Sequence, residues 1–346
     1  MGPALPETKY QVHAPLTHSP DLWFDDGSVV LHVESTLFKV HRSILSSNSE
    51  VFCGMFSVPQ PPTNMNISDG VIDGCPVVHL PDHAMDWTHV LKALYDAMSV
   101  LSLLVAHTRC LNFYGCRNSH VLETDVPFES VAAFLRLGTK YSIRQLRMQA
   151  MKLLFAEYPT TLEKWDVTAP KDHPRIRYES GIHFRVANLA SEVGLHAILP
   201  ACLYYHFEDT DGHDNILNGT FEDGQLVAEL SPENKLIALR GWFRLLKKQH
   251  ETTYKWLDTD GSLFPGCQTM QKCDVVRRDI FYRSFRRYTY CVPLAQWDPT
   301  DENAGLCQFC VVTSKQLHNE GRTKVWQELP STFDLPGWDE LLRYSE

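Results

Sequence analysis

No stretch of this sequence is apolar for long enough to cross a bilayer. The longest, Met98 to Ala106, falls well short of the roughly 18–20 residues a membrane helix requires, so no membrane span is expected. The start lacks an apolar segment behind basic residues; Met1 to Pro20 carries four prolines and reads as a mobile arm rather than a secretory signal. Excess positive charge is missing too. The 32 Lys and Arg stand against 42 Asp and Glu, for a net −10 with His neutral, which excludes a globally basic surface for nucleic acid or anionic lipid. The sequence holds no G-x-S-x-G, P-loop, H-E-x-x-H or dinucleotide-binding glycine pattern, so no enzyme class gains support and none is expected. Kelch repeats, other internal repeats and C-x₂₋₄-C-x₁₂-H-x₃₋₅-H fingers are absent as well.

What is present is ordinary globular composition. The chain has 346 residues, 44% hydrophobic and 21% charged, enough for two or three compact units. An intracellular location is expected, nucleus or cytoplasm left open. In that setting the ten cysteines read as reduced thiols or metal ligands rather than a disulfide framework.

The first part reads as strands followed by helices. Asp26-Gly27 is a turn signal between Leu22-Trp23-Phe24 and Ser28 to Val33, so a hairpin is expected, with Val29, Leu31 and Val33 sharing one face. Thr36 to Val40 and Val77 to Leu80 continue the sheet. Over His41 to Phe56 the residues Ile44, Leu45, Val51, Phe52, Met55 and Phe56 recur at helical spacing. Further helices are expected at Asp86 to Asp96, Phe128 to Tyr141 and Ile143 to Tyr158. Helices gathered on an earlier sheet make an α+β fold.

The run Phe38-Lys39-Val40-His41-Arg42, followed by Leu45, Ser49, Phe52 and Met55-Phe56, resembles the opening of the BTB (POZ) domain. The preceding Asp-Gly-Ser-Val-Val segment and the later Phe128 to Tyr141 also fit. The whole is similar to the BTB proteins numerous in mushroom-forming, basidiomycete fungi, and covers about Asp21 to Asp166. The resemblance implies a small sheet wrapped by helices that works by association, as a homodimer or heterodimer through the N-terminal strand and first helices. It points to Trp23, Phe24, Asp26, Leu37, His41, Met55 and Phe56 as dimer or fold residues, with His41 hydrogen-bonded where a strand passes into a helix. The large apolar members of this set suit a shared isologous surface, and equally an intramolecular core. A different class, a substrate adaptor of a cullin-type ubiquitin ligase, rests on family analogy; a transcriptional regulator has less behind it. One departure stands out. At 97–126, where the family has a short connection, Ala97 to Ala106 is apolar and Arg109 to Asp125 has no period. This is either a surface excursion with a short helix or sequence of gene-model origin, such as an unspliced intron.

Residues 167–181 read as a linker, 182–260 as a helical region and 261–346 as a cysteine-containing module. Ile182 to Glu192 and Ala197 to Phe207 form a helix pair broken at Gly194. The acidic stretch Glu208 to Gly224 is expected to be a solvated loop. Ser231-Pro232-Glu233 begins a long helix to about Leu257, with Leu236, Leu239, Phe243 and Leu246 on one face. The strongest chemical signal is Cys307-Gln-Phe-Cys310 with Cys267 and Cys273, because a C-x-x-C turn places two thiolates on one Zn²⁺ and a second pair closes the tetrahedron. The second pair is looser than usual, and His318 is a substitute ligand. Four protein ligands make such a zinc structural; the bland reading is four reduced core cysteines. Arg277, Arg278, Arg283, Arg286 and Arg287 interleave with Phe281, Tyr282, Phe285 and Tyr288. This pattern suits phosphate and bases, or a helix burying Ile280, Phe281, Ser284 and Phe285 with arginine on its wet face. The acidic balance favours the second, so nucleic acid is not an expected partner.

Overall fold

A computed structural model describes residues 15–58, 70–96, 126–168, 175–207, 212–258, 263–285 and 291–343. The insertion expected at 97–126 lies, except for Val126, outside these described residues. The chain divides into two compact units, 1–151 and 152–346. The fold is α+β, with the sheet in the first unit and a mainly helical second unit.

The first unit is built on a five-stranded sheet in the order β1-β3-β2-β5-β4. Its strands are β1 (Thr17–Trp23), β2 (Val29–Val33), β3 (Thr36–Val40), β4 (Val71–Ile72) and β5 (Cys75–Leu80). The hairpin expected about Asp26-Gly27 does not form. Instead β1 runs parallel to β3, with Thr17 beside Thr36, and β2 pairs antiparallel with β3 through Glu34-Ser35. The reason is where the turn bonds: Phe24 donates to the Lys39 carbonyl and Ser28 to the Val40 carbonyl, so the chain crosses the end of β3 instead of doubling back along β1. Gly27 is needed there, since a Cβ would come within 2.7 Å of the Lys39 side chain. Thr17 to Pro20, read as part of an arm over 1–20, belong to β1 instead; residues 1–14 of that reading lie outside the described residues.

The helical spacing read over 41–56 forms two helices, α1 (Arg42–Asn48) and α2 (Glu50–Ser57). Ser49 separates them. This residue is extended, accepts from the Phe52 N–H as the cap of α2, and donates to the Tyr141 carbonyl at 2.6 Å. Then come α3 (Ala84–Tyr95), α4 (Phe128–Lys140) and α5 (Arg144–Glu157). Val29, Leu31, Val33, Phe38 and Val40 are wholly buried, as are Phe52 and Trp87; the rings of Phe52, Trp87 and Tyr141 meet at 5.1–5.8 Å. At the edge of this core, Asp82 accepts from Trp87 Nε1 at 3.1 Å, Lys140 Nζ at 2.5 Å and the Tyr141 hydroxyl at 2.5 Å. Burial pushes its carboxyl up, but these donors outweigh burial and hold it below its ordinary range.

The second unit contains α6 (Leu162–Thr168), α7 (Ile182–Glu192), α8 (Leu199–Tyr204) and α9 (Gly212–Asn218), then the hairpin β6 (Thr220–Glu222) and β7 (Gln225–Ala228). After these come α10 (Pro232–Glu251), α11 (Met270–Phe285), α12 (Pro299–Glu302), α13 (Gln308–Gln327), α14 (Leu329–Thr332) and α15 (Trp338–Arg343). Residues up to Asp166 were expected with the first domain. Trp165 is instead buried against Tyr204, Tyr205 and Trp326 of the second unit. Ile176, in the expected linker, is buried as well. The acidic stretch expected as a loop carries α9 and β6, the hairpin turning at Asp223-Gly224 with both residues at positive φ. Helix α10 starts as read, Ser231 capping Asn234 N–H, but its buried face is Ala238, Gly241 and Leu245. Leu236 and Phe243 are exposed. Phe333 forces this choice: its ring lies where any Cβ on residue 241 would stand, at 2.3 Å. Among the described residues no helix is long and apolar enough to cross a membrane.

Candidate metal centre and interaction face

Two helix starts bring four cysteines together. Cys267 follows a turn closed by its N–H on the Phe264 carbonyl, and Cys273 lies in the first turn of α11. Cys307 is the N-cap of α13 and Cys310 lies in its first turn. All four sulfurs lie within 4.8 Å of one another, with Cys267 and Cys307 at 3.8 Å. Zinc–thiolate bonds of about 2.3 Å in a tetrahedron set sulfurs about 3.8 Å apart, so the donor set fits a tetrathiolate metal. The loose spacing of the second pair is absorbed by the turn and the start of α11. His318 is not part of this cluster. It accepts from Trp256 Nε1 at 3.3 Å and donates from Nε2 to the Ala295 carbonyl at 2.9 Å, and burial lowers its pKa to about 4.

Cys273 and Cys310 are buried, while Cys267 and Cys307 are partly exposed. Cys273 receives the Cys307 N–H at 3.3 Å and lies 3.4 Å from the Thr269 hydroxyl. At Cys307 burial works upward, but the Cys310 N–H and the neighbouring thiols overcome it and bring the pKa down to about 6. Cys310 is pushed up, by burial first and then by the sulfurs around it. Four sulfurs so placed could hold one cation, each as a thiolate.

Helix α11 buries only part of the face expected for it: Ile280 is buried and Phe285 packs against the core partly buried. Cys273, Arg277 and Ile280 point inward, whereas Phe281 and Ser284 are exposed. Arg277, expected on the wet face, is fully buried. Its guanidinium lies 4.0 Å over the Phe264 ring, pairs with Asp274, and directs Nη1 at Cys310 Sγ, 3.8 Å away. The one signal for it in the sequence is its position four residues after Cys273. Arg283 pairs with Asp279 and Asp301, and Arg286, Arg287 and Tyr288 lie outside the described residues.

In the first unit His41 is the centre of a polar knot. Its N–H donates to the Tyr95 hydroxyl at 2.8 Å, that hydroxyl also bonds His41 Nδ1 at 2.8 Å, and Nε2 faces exposed Asp26 at 3.1 Å. The bond from His41 holds the Asp26 carboxyl below its ordinary range. Phe24 stacks on Tyr95 at 4.5 Å. Tyr95 is the member that the sequence reading missed. Trp23 stacks on His18 at 3.7 Å and packs on a cluster of Val30, Leu37 and Cys75, in which Leu37 is buried. Met55 and Phe56 are half-exposed at the end of α2, Phe56 lying beneath the Arg42 guanidinium at 4.8 Å. Exposed Val51 lies one turn before Met55 on α2, and exposed Val58 is the extended residue just past the end of the helix.

A family model described as BTB/POZ domain matches residues 25–75, a span that takes in Asp26, His41, α1 and α2. No curated protein and no solved structure matches the chain.

Proposed function

The chain is a BTB/POZ domain-containing protein, and from this premise we propose that it is a non-enzymatic interaction protein that dimerises through that domain and presents a zinc-stapled helical module to another protein. BTB/POZ is a family of interaction domains. The observation that carries the dimer is the apolar group of Val51, Met55 and Phe56 on α2, with Val58 just past its end. It leaves large apolar side chains in water at the first helices, the elements through which such domains associate. Phe24, Asp26 and His41 then act by fixing the strand-to-helix turn from which α1 and α2 depart, and Trp23 and Leu37 by closing the sheet. In the second unit, Cys267, Cys273, Cys307 and Cys310 hold a structural zinc that ties the start of α11 to that of α13.

Light scattering behind size-exclusion chromatography on the full chain tests the dimer. At tens of micromolar the expected mass is twice that of the chain, and Met55→Glu is expected to shift it to the monomer. A monomeric unaltered chain, or a dimer indifferent to Met55→Glu and Val51→Glu, overturns the reading of this face.

A further inference from the structure

We infer that Arg277 is the charge-compensating residue of the four-cysteine centre: its guanidinium offsets the excess negative charge of a tetrathiolate–metal unit and steadies the Cys310 sulfur as a ligand. This rests on the metal reading above and names how the site is tuned. Four thiolates and one dication sum to −2. Water screens such a charge at Cys267 and Cys307, which are partly exposed, but not at Cys273 and Cys310, which are buried.

The donors are allotted accordingly. Cys273 has the Cys307 N–H and the Thr269 hydroxyl. Cys310 has Arg277, whose Nη1 lies 3.8 Å from its sulfur. The arginine is held for that task from two sides, by the Phe264 ring under its plane and by Asp274 at its Nη2. It remains poorly satisfied as a purely structural residue, because its buried Nε has no partner and its carboxylate partner is partly exposed. A fully buried guanidinium is otherwise unfavourable; a neighbouring tetrathiolate supplies the negative charge that makes it stable. Outer-sphere partners of metal ligands tune affinity without touching the metal, and the planar fork of arginine allows the ring contact and both polar contacts at once.

The test uses the full chain, beginning with zinc content after purification without chelators. One zinc per chain is expected; none would remove the metal reading itself, and the role of Arg277 with it. Zinc affinity is then measured by competition with a chromophoric chelator for Arg277→Met, Arg277→Gln and Arg277→Lys. The neutral variants are expected to bind one zinc at saturation with about 10- to 100-fold weaker affinity, and a shifted thiolate-to-metal charge-transfer band with Co²⁺ in the site. Lysine should recover most of the loss. If Arg277→Met fails to fold, the glutamine and lysine variants decide. Wild-type affinity in the glutamine variant, or a lysine variant as weak as glutamine, overturns the charge role while leaving the zinc site standing.

Discussion

Gly321 and Gly54 are both helical glycines, yet the surroundings give them opposite roles. In a helix, alanine is ordinarily favoured over glycine by about 1 kcal/mol, because glycine has more backbone freedom to lose. At Gly54 in α2 nothing lies within 4 Å of an added Cβ, and that preference should stand. At Gly321 in α13 a Cβ would come within 2.4 Å of the Thr253 backbone nitrogen, which cannot swing aside as a side-chain end can. Thermal melts should therefore show Gly54→Ala equal to or above the unaltered chain, and Gly321→Ala below it by at least about 2 kcal/mol. The reverse order would mean that α13 does not pack on residues 252–253. Arg277 belongs to the same scale. Its burial was invisible in an arginine-rich run, because a periodic pattern marks a charged residue as wet unless something nearby takes the charge. Cys273, one turn earlier, is what reverses that inference.

At the level of elements, α7 and the 3₁₀ turn Tyr205–Phe207 after α8 bury histidines that the second unit keeps neutral. His183 faces the Tyr158 hydroxyl at 2.9 Å and stacks on Tyr205, and burial lowers its pKa to about 4. His206 is lowered too, by burial and by His183 beside it. His318 on α13 is likewise brought to about 4 by burial. For each, the folded value lies under the unfolded one of 6.5. The unfolded chain thus binds more protons between the two, and stability must rise with pH there. Stability is fully present above about pH 6.5 and falls as the pH drops toward 4, by about 3 kcal/mol each for His183 and His318. Urea titrations at pH 7.5, 6 and 5 should show a progressive loss, reduced in His183→Gln; a flat profile would mean these rings are solvated. The element scale is also where sequence periodicity misled. On α10 the stripe Leu236, Leu239, Phe243 and Leu246 has the correct spacing for a buried face, but the opposite side, lined by Ala238 and Gly241, admits the Phe333 ring.

Across the whole chain, the second unit closes a long interval of sequence with few local constraints. The cysteine centre joins residue 267 to residue 310, and its core neighbours include Trp256, Phe264 and Ile280. A zinc bound only in the folded state adds its binding free energy to folding. Chelation should therefore lower the melting temperature of the chain, with Cys307→Ser reproducing the loss and no longer responding to chelator. Unchanged melting on chelation of a zinc-loaded sample would make the metal incidental to the fold.

Much of the first unit was legible in its residues. The strands at 29–33, 36–40 and 77–80, the helices at 128 onward, and the motif around His41 that led to the domain match all depend on local alternation, caps and spacing. The pairing of Cys307 with Cys310 was legible for the same reason, since a C-x-x-C at a helix start brings two sulfurs together locally, whereas Cys267 and Cys273 reach them only through the fold. Tertiary structure alone decided that β1 lies beside β3, that Trp165 joins the second unit, that Arg277 is buried and that Leu236 and Phe243 are exposed. Each of these depends on which partner arrives across many residues of chain. Periodicity records that a face is apolar, whereas its burial is set by the shape of what meets it.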